Sequence, residues 1–236
     1  MHMCIGKVEQ IGGVDCYIAT PSVEYPTDKV ILYIPDVFGI QLVNHKLQAD
    51  DFARNGFKVV VPDIFHDAAP PDALDPGSNF NLGEWFTRNG PDYTEPQVRK
   101  VVAALKADGI TKIGATGYCY GARTAFNLAF ENEVTAVVVS HPSLLTVPAD
   151  PEKYLAEAKA PLLINSCEFD SIFPAESQKA ADEVLGEGKF TPGYKRLYWE
   201  GCTHGFAVRG DLSDPKIKAG REGSFKATVE WFLKYL

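Results

Sequence analysis

The sequence predicts an α/β fold: a mostly parallel central sheet with helices on both faces. Three observations lead there. Short, β-branched apolar runs recur along the chain, and from residue 30 onward they are almost continuously apolar, as in strands covered on both sides. Patterns with helical spacing lie between them, and strands that alternate with helices imply parallel pairing through crossovers. The chain has 236 residues, 45% hydrophobic and 23% charged, which is enough to bury one full core without metals or disulfides. No internal repeat and no linker interrupts it, so one domain over 1–236 is expected.

The predicted strands are "VDCYIA" (14–19), "VILYIP" (30–35), "FKVVVP" (57–62), "TKIGAT" (111–116), "VTAVVVS" (134–140), "PLLINS" (161–166) and "KRLYW" (195–199). The predicted helices begin with "LVNHKLQADDFARNG" (42–56), which ends in a C-cap-like Gly56. "TEPQVRKVVAALKADG" (94–109) starts at a cap-like Thr94 and ends in Gly109. "YGARTAFNLAFEN" (120–132), "AESQKAADEVLG" (175–186) and "SFKATVEWFLKYL" (224–236) complete the set. One stretch breaks the rhythm. Residues 66–96 are rich in Pro, Gly and Asp, and a connection this long reads as a lid-like insertion. Its aromatics Phe80, Trp85, Phe86 and Tyr93 favour an ordered one.

Charge and cysteine usage narrow the function. The net charge of −8 leaves no basic stripe to neutralise phosphates, so nucleic acid and anionic membranes are disfavoured partners. Cys4, Cys16, Cys119, Cys167 and Cys202 form no CxxC pair, which argues against a zinc or thioredoxin-type site. Their number is odd and their spacing wide. Reduced thiols and a cytosolic setting are expected. The start, "MHMCIGKVEQIGG", has neither an apolar core nor a basic leader, and Met1–His2 reads as an appended remnant. No apolar run reaches the ~18 residues of a membrane span.

The chemistry concentrates in "KIGATGYCYGARTAF" (112–126). A strand ends at Gly117, Cys119 follows, and Gly121 opens a helix. This Gly-x-nucleophile-x-Gly pattern is a nucleophile elbow, in which a strained strand-to-helix turn exposes the central side chain and aims the next amide, that of Tyr120, at the same place. A buried structural cysteine would give the same pattern. A nucleotide site fits worse: "GATGYCYG" is not GxGxxG, and Tyr118, Cys119 and Tyr120 would crowd a phosphate.

A thiol needs a base to become a nucleophile at neutral pH. The histidines are His2, His45, His66, His141 and His204, and in elbow enzymes the chain order is nucleophile, acid, histidine. His204, in "EGCTHGF" just past a strand, fits that order. His141 precedes any candidate acid and reads as a loop histidine capping backbone groups, with a pocket-lining role as the alternative. "PLLINSCEFDSIFP" offers Glu168, read as a solvated loop charge, and Asp170, which can hold the Nδ1 proton of His204. A helix cap is the plainer reading of Asp170 taken alone. The oxyanion would take the Tyr120 amide and one from the loop "YIPDVFGI" (33–40), where Val37 is the candidate. Asp36 in that loop would oppose a thiolate by like charge, or it caps a helix.

Taken in order, "DVFGI", "VVVPDIF", "TGYCYGAR", "EFDSIFP" and "THGFAVRG" resemble the dienelactone hydrolase family, the α/β-hydrolase branch with a cysteine nucleophile, over nearly the whole chain. The closer likeness is to its eukaryotic, fungal-type members. The resemblance implies the α/β-hydrolase fold, with Cys119 as nucleophile, Asp170 as acid, His204 as base, and Val37 and Tyr120 as oxyanion donors. It implies hydrolysis of a lactone or ester through an acyl-enzyme, with no cofactor or metal. Asp36 stands where the family carries a glutamate that holds the resting thiol proton. Arg209 and Arg88 are the candidates nearest the two arginines that hold a substrate carboxylate. Tyr118, His141 and Phe38 complete the expected substrate-binding or modulating set. The expected partner is a small ester or lactone, and the expected assembly a monomer or homodimer. A fold that has lost efficient catalysis and serves in binding or regulation is the alternative.

Overall fold

The computed structural model describes residues 5–75 and 77–236. Met1–His2 and Cys4 lie outside the described residues. The strands are β1 (Lys7–Ile11), β2 (Val14–Ala19), β3 (Lys29–Ile34), β4 (Val59–Pro62), β5 (Lys112–Tyr118), β6 (Ala136–Ser140), β7 (Leu162–Phe169) and β8 (Tyr194–Thr203). They form one sheet in the order β1-β2-β4-β3-β5-β6-β7-β8. The first two join antiparallel, and every pair from β4 to β8 is parallel.

The helices are α1 (Val43–Arg54), α2 (Leu82–Asn89), α3 (Pro91–Ala107), α4 (Gly121–Phe130), α5 (Ala149–Glu157), α6 (Ala175–Leu185) and α7 (Pro215–Tyr235). Because side chains alternate along a strand, β3 serves two cores: Val30, Leu32 and Ile34 point to one, and Ile31 and Tyr33 to the other. Helices α1 and α7 cover the second face. Among the described residues no helix is long and apolar enough to cross a membrane.

The structure departs from the sequence reading where short-range signals were weak. β1, "KVEQI", is largely exposed, so it carries no apolar run and only its pairing with β2 makes it a strand. Thr94 is not a cap. Helix α3 starts at Pro91 with Gly90 as its N-cap, and Thr94 is buried with its hydroxyl 2.9 Å from the Tyr120 hydroxyl. The last helix begins at Pro215, capped by the Asp214 side chain on the Lys216 amide at 2.8 Å, nine residues before the predicted start at 224. Within 66–96, Asn81 caps α2 by accepting from the Glu84 amide at 3.0 Å. Trp85 is buried and donates to the Asp67 carbonyl at 2.7 Å.

Candidate active site

Cys119 sits at the tip of β5, where the sheet's carboxyl edge gathers the loops after β3, β6, β7 and β8, the usual place for a ligand site on an open α/β sheet. Its φ of 49° is a left-handed conformation that costs energy for a residue with a Cβ. The neighbouring glycines make the turn feasible. A Cβ on Gly117 would lie 2.5 Å from the Gly121 carbonyl oxygen, and one on Gly121 would collide with the Ile34 carbonyl, whose carbon would be 2.8 Å away. The elbow is therefore clamped against the end of β3. Cys119 is 7% exposed. Its amide donates to the Ser140 carbonyl at 3.1 Å, and its carbonyl accepts from the Ser143 amide at 3.0 Å. Its Sγ lies 3.1 Å from Ser143 Oγ.

Asp170 follows β7, just beyond a register irregularity between Cys167 and Phe169. Its Oδ1 accepts from the amides of Ile172 (2.9 Å) and Phe173 (3.0 Å). Its Oδ2 accepts from His204 Nδ1 at 2.9 Å. A carboxylate accepts only, so Nδ1 carries a proton and Nε2 turns toward the elbow, 3.5 Å from Ser143 Oγ. The His204 amide donates to the Phe169 carbonyl at 3.2 Å, which ties the loop after β8 to the end of β7. Burial would raise the Asp170 carboxyl, but the imidazole and the two amides outweigh it and hold it below its usual range. Burial likewise opposes charge on His204. The Asp170 hydrogen bond and the adjacent Cys119 sulfur overcome that and push the imidazole up to about 10.

His141 is packed edge-on to His204, ring centroids 4.9 Å apart, with φ 39°. It caps nothing through its ring: among the described residues neither ring nitrogen has a hydrogen-bond partner. Complete burial, with the charges of His204 and Arg209 nearby, drives it well below the usual histidine range. It is therefore a neutral wall behind His204.

Asp36 is fully buried but is not bonded to the thiol. Its Oδ1 faces His45 Nε2 at 2.8 Å and accepts from the Phe38 amide at 3.0 Å. It caps no helix, since Leu42 is the N-cap of α1. The far side of His45, Nδ1, lies 2.8 Å from Tyr33 Oη, which itself donates to Gln48 Oε1 at 2.6 Å. Both ring nitrogens of His45 thus face acceptors. Arg209 Nε stands 3.6 Å from Asp36 Oδ2, with its guanidinium 4.5 Å above the Phe38 ring. Burial would raise Asp36, but His45, Arg209 and the Phe38 amide keep it lowered and ionised. Tyr118 lies beneath, stacked on Tyr33 at 4.6 Å.

A partly open cavity of about 210 Å³ meets these groups; Cys119, Ser143 and His204 line it, as do Val37 and Tyr120. Neither the Val37 nor the Tyr120 amide donates to a protein acceptor among the described residues. Leu74, Leu82 and Phe86 from 66–96 form part of its wall. Tyr120 orients that segment, since its hydroxyl donates to the Asn89 carbonyl at 2.7 Å. Arg88 is elsewhere. It pairs with Asp67 at 3.1 Å, in a separate depression shared with His66 and Tyr93. Arg123 is also turned away, bonded to Asp150 (2.9 Å) and to the Leu144 carbonyl (2.8 Å). Glu168 accepts from the Gly201 amide at 2.7 Å instead of standing free. No group of three or more metal-ligating side chains occurs among the described residues.

Sequence reasoning missed Ser143 and His45. A serine after a strand carries no signal of its own. His45 precedes the elbow and is set aside by chain order, although its place in α1, nine residues past Asp36, brings the two together once the helix folds back on β3.

Comparison with known proteins adds a family to this geometry. The model of the Dienelactone hydrolase family matches residues 14–236. Hydrolase pyvD of Aspergillus violaceofuscus is 31% identical over 232 residues, covering 98% of this chain and 91% of that one. Dienlactone hydrolase 1 of Gibberella moniliformis is 29% identical, covering 96% and 86%. A carboxymethylenebutenolidase homolog of Xenopus tropicalis is 26% identical, covering 98% and 91%. Among solved structures, one from Klebsiella pneumoniae superposes with a TM-score of 0.76 at 15% identity, over 99% of this chain and 100% of the other. That likeness carries the fold.

Proposed function

The chain belongs to the dienelactone hydrolase family, and on that ground we propose that it hydrolyses a lactone or activated ester through a thioester on Cys119, with His204 as base and Asp170 orienting it. The reading rests on one run of contacts: Asp170 Oδ2 to His204 Nδ1 (2.9 Å), His204 Nε2 to Ser143 Oγ (3.5 Å), and Ser143 Oγ to Cys119 Sγ (3.1 Å). A raised imidazole beside the sulfur is a strong acceptor for the thiol proton.

The proton leaves Sγ for His204 Nε2, with Ser143 Oγ bridging the two atoms at rest. The sulfur attacks the carbonyl carbon, and the oxygen takes up negative charge between the Val37 and Tyr120 amides. Losing one such donor costs ~10²–10³ in rate. The carbon–oxygen bond breaks, His204 returns the proton to the departing oxygen, and a thioester remains. Water then gives a proton to His204 and attacks the thioester carbon, the carbon–sulfur bond breaks, and Sγ regains the proton. Sulfur is itself a good leaving group, so a poor alkoxide would lose the partition of the first intermediate. Aryl and enol esters are therefore favoured over simple alkyl esters. The four described cysteines are free and buried, which supports a reducing, cytosolic setting.

The test is a panel of lactones and activated esters with the wild type and Cys119→Ala. Turnover that disappears in the variant supports the nucleophile, and turnover that survives overturns it. Labelling with iodoacetamide separates the enzyme from a catalytically weak binding protein, in which Cys119 would react no faster than an ordinary thiol.

A further inference from the structure

The cavity at Cys119 has an almost entirely apolar lining. Leu82 and Phe86 wall it on the side of 66–96, and Leu74, Leu144 and Ile172 are among the chain's exposed large apolar side chains and meet it at the mouth. A cation that could receive a carboxylate is missing from the described lining, apart from His204, which Asp170 already neutralises at 2.9 Å. The nearby arginines each face a carboxylate and none lines the cavity, although Arg209 Nε makes no hydrogen bond among the described residues. Arg209 faces the buried Asp36, Arg123 is bonded to Asp150, and Arg88 is paired with Asp67 outside the cavity.

We infer that the substrate is an uncharged, apolar ester or lactone whose group beside the scissile carbonyl is a short alkyl chain or a single ring, with no carboxylate near the reacting bond. The size follows from volume: an apolar cavity of ~150 Å³ holds benzene, and this one is about 210 Å³. The charge preference follows from solvation. A carboxylate entering an apolar wall loses its water with no partner in exchange, whereas each methylene buried there strengthens binding about fourfold. The arginine expected past the histidine is present in sequence as Arg209, but its charge answers the buried Asp36 carboxylate instead of a substrate.

The inference rests on the proposed hydrolysis at Cys119, and its test separates the two. 4-Nitrophenyl hexanoate and the mono-4-nitrophenyl ester of adipic acid share chain length and leaving group, and differ by a terminal carboxylate. The expected result is a kcat/KM at least about a hundredfold higher for the hexanoate. Leu74→Arg at the exposed mouth should shift that ratio toward the adipate ester by tenfold or more. Phenyl hexanoate should likewise outrun 4-carboxyphenyl hexanoate. A carboxylated ester hydrolysed as fast as its neutral counterpart, with turnover lost in Cys119→Ala, overturns the substrate class and leaves the nucleophile standing. Binding to Cys119→Ala protein gives a reading that needs no turnover. There the hexanoate should bind at least tenfold more tightly, and equal or tighter binding of the adipate ester overturns the inference even if the wild type hydrolyses neither.

Discussion

Replacing Asp170 by asparagine removes one charge and changes almost no volume, and the surrounding contacts dictate the consequence. Oδ1 of the new side chain can still accept from the Ile172 and Phe173 amides, at 2.9 and 3.0 Å in the parent. The amide nitrogen then occupies the Oδ2 position, 2.9 Å from His204 Nδ1, where it donates. Two donors cannot face each other, so the imidazole must carry its proton on Nε2 instead. That proton points toward Ser143 and Cys119, and the ring can no longer accept one from the sulfur. In the general triad arrangement a wrong tautomer of this kind lowers kcat by ~10⁴. The charged hydrogen bond becomes a neutral one, so the stability lost is about 1–2 kcal/mol, or roughly 2–8 °C of Tm for a chain of this length. The assay is steady-state hydrolysis of a 4-nitrophenyl ester across pH, with circular dichroism and Tm to establish folding. A folded Asp170→Asn protein with kcat within tenfold of the wild type would refute the role given to Asp170.

The same contacts predict further outcomes. Ser143→Ala, which removes the hydroxyl between sulfur and imidazole, should lower kcat about tenfold while KM stays within a factor of two or so, and an unchanged kcat would count against the bridge. Gly121→Ala drives a Cβ into the Ile34 backbone, which cannot yield as a side chain could, so loss of more than ~3 kcal/mol in urea unfolding is expected; a stable variant would mean that the elbow is less tightly clamped. Asp36→Ala leaves His45 and Arg209 without their buried partner and should destabilise by ~3–5 kcal/mol, against which a change below ~1 kcal/mol would tell. His204 is raised from 6.5 to about 10 in the folded state. Its contribution is therefore fully present below pH ~6.5 and fades as pH rises through ~10. The Tm advantage of the wild type over His204→Ala should shrink across that window, and an advantage that grows with pH would reverse the assignment.

The order of amino acids was enough to predict the alternation of strands and helices and to bring the candidate groups to the sheet's edge. Period, apolar run length and glycine spacing are local signals, and each predicted strand lies within a few residues of its place. The elbow was legible because Gly117 and Gly121 must be small for backbone reasons that any sequence states openly. Chain order, the position of each residue just past a strand and the family resemblance together pointed to His204 and Asp170. Other features needed the folded chain, because they join residues far apart in sequence. β1 exists because β2 pairs with it, and Thr94 lies inside α3, its hydroxyl turned to Tyr120. The fate of charge is the clearest case. Nothing local reveals that Asp36 meets His45 and Arg209, that Arg88 lies outside the cavity, or that Ser143 lies between sulfur and imidazole. Electrostatic partnership and solvent exclusion are properties of three-dimensional neighbourhood, and a linear pattern carries them only when the partners share an element.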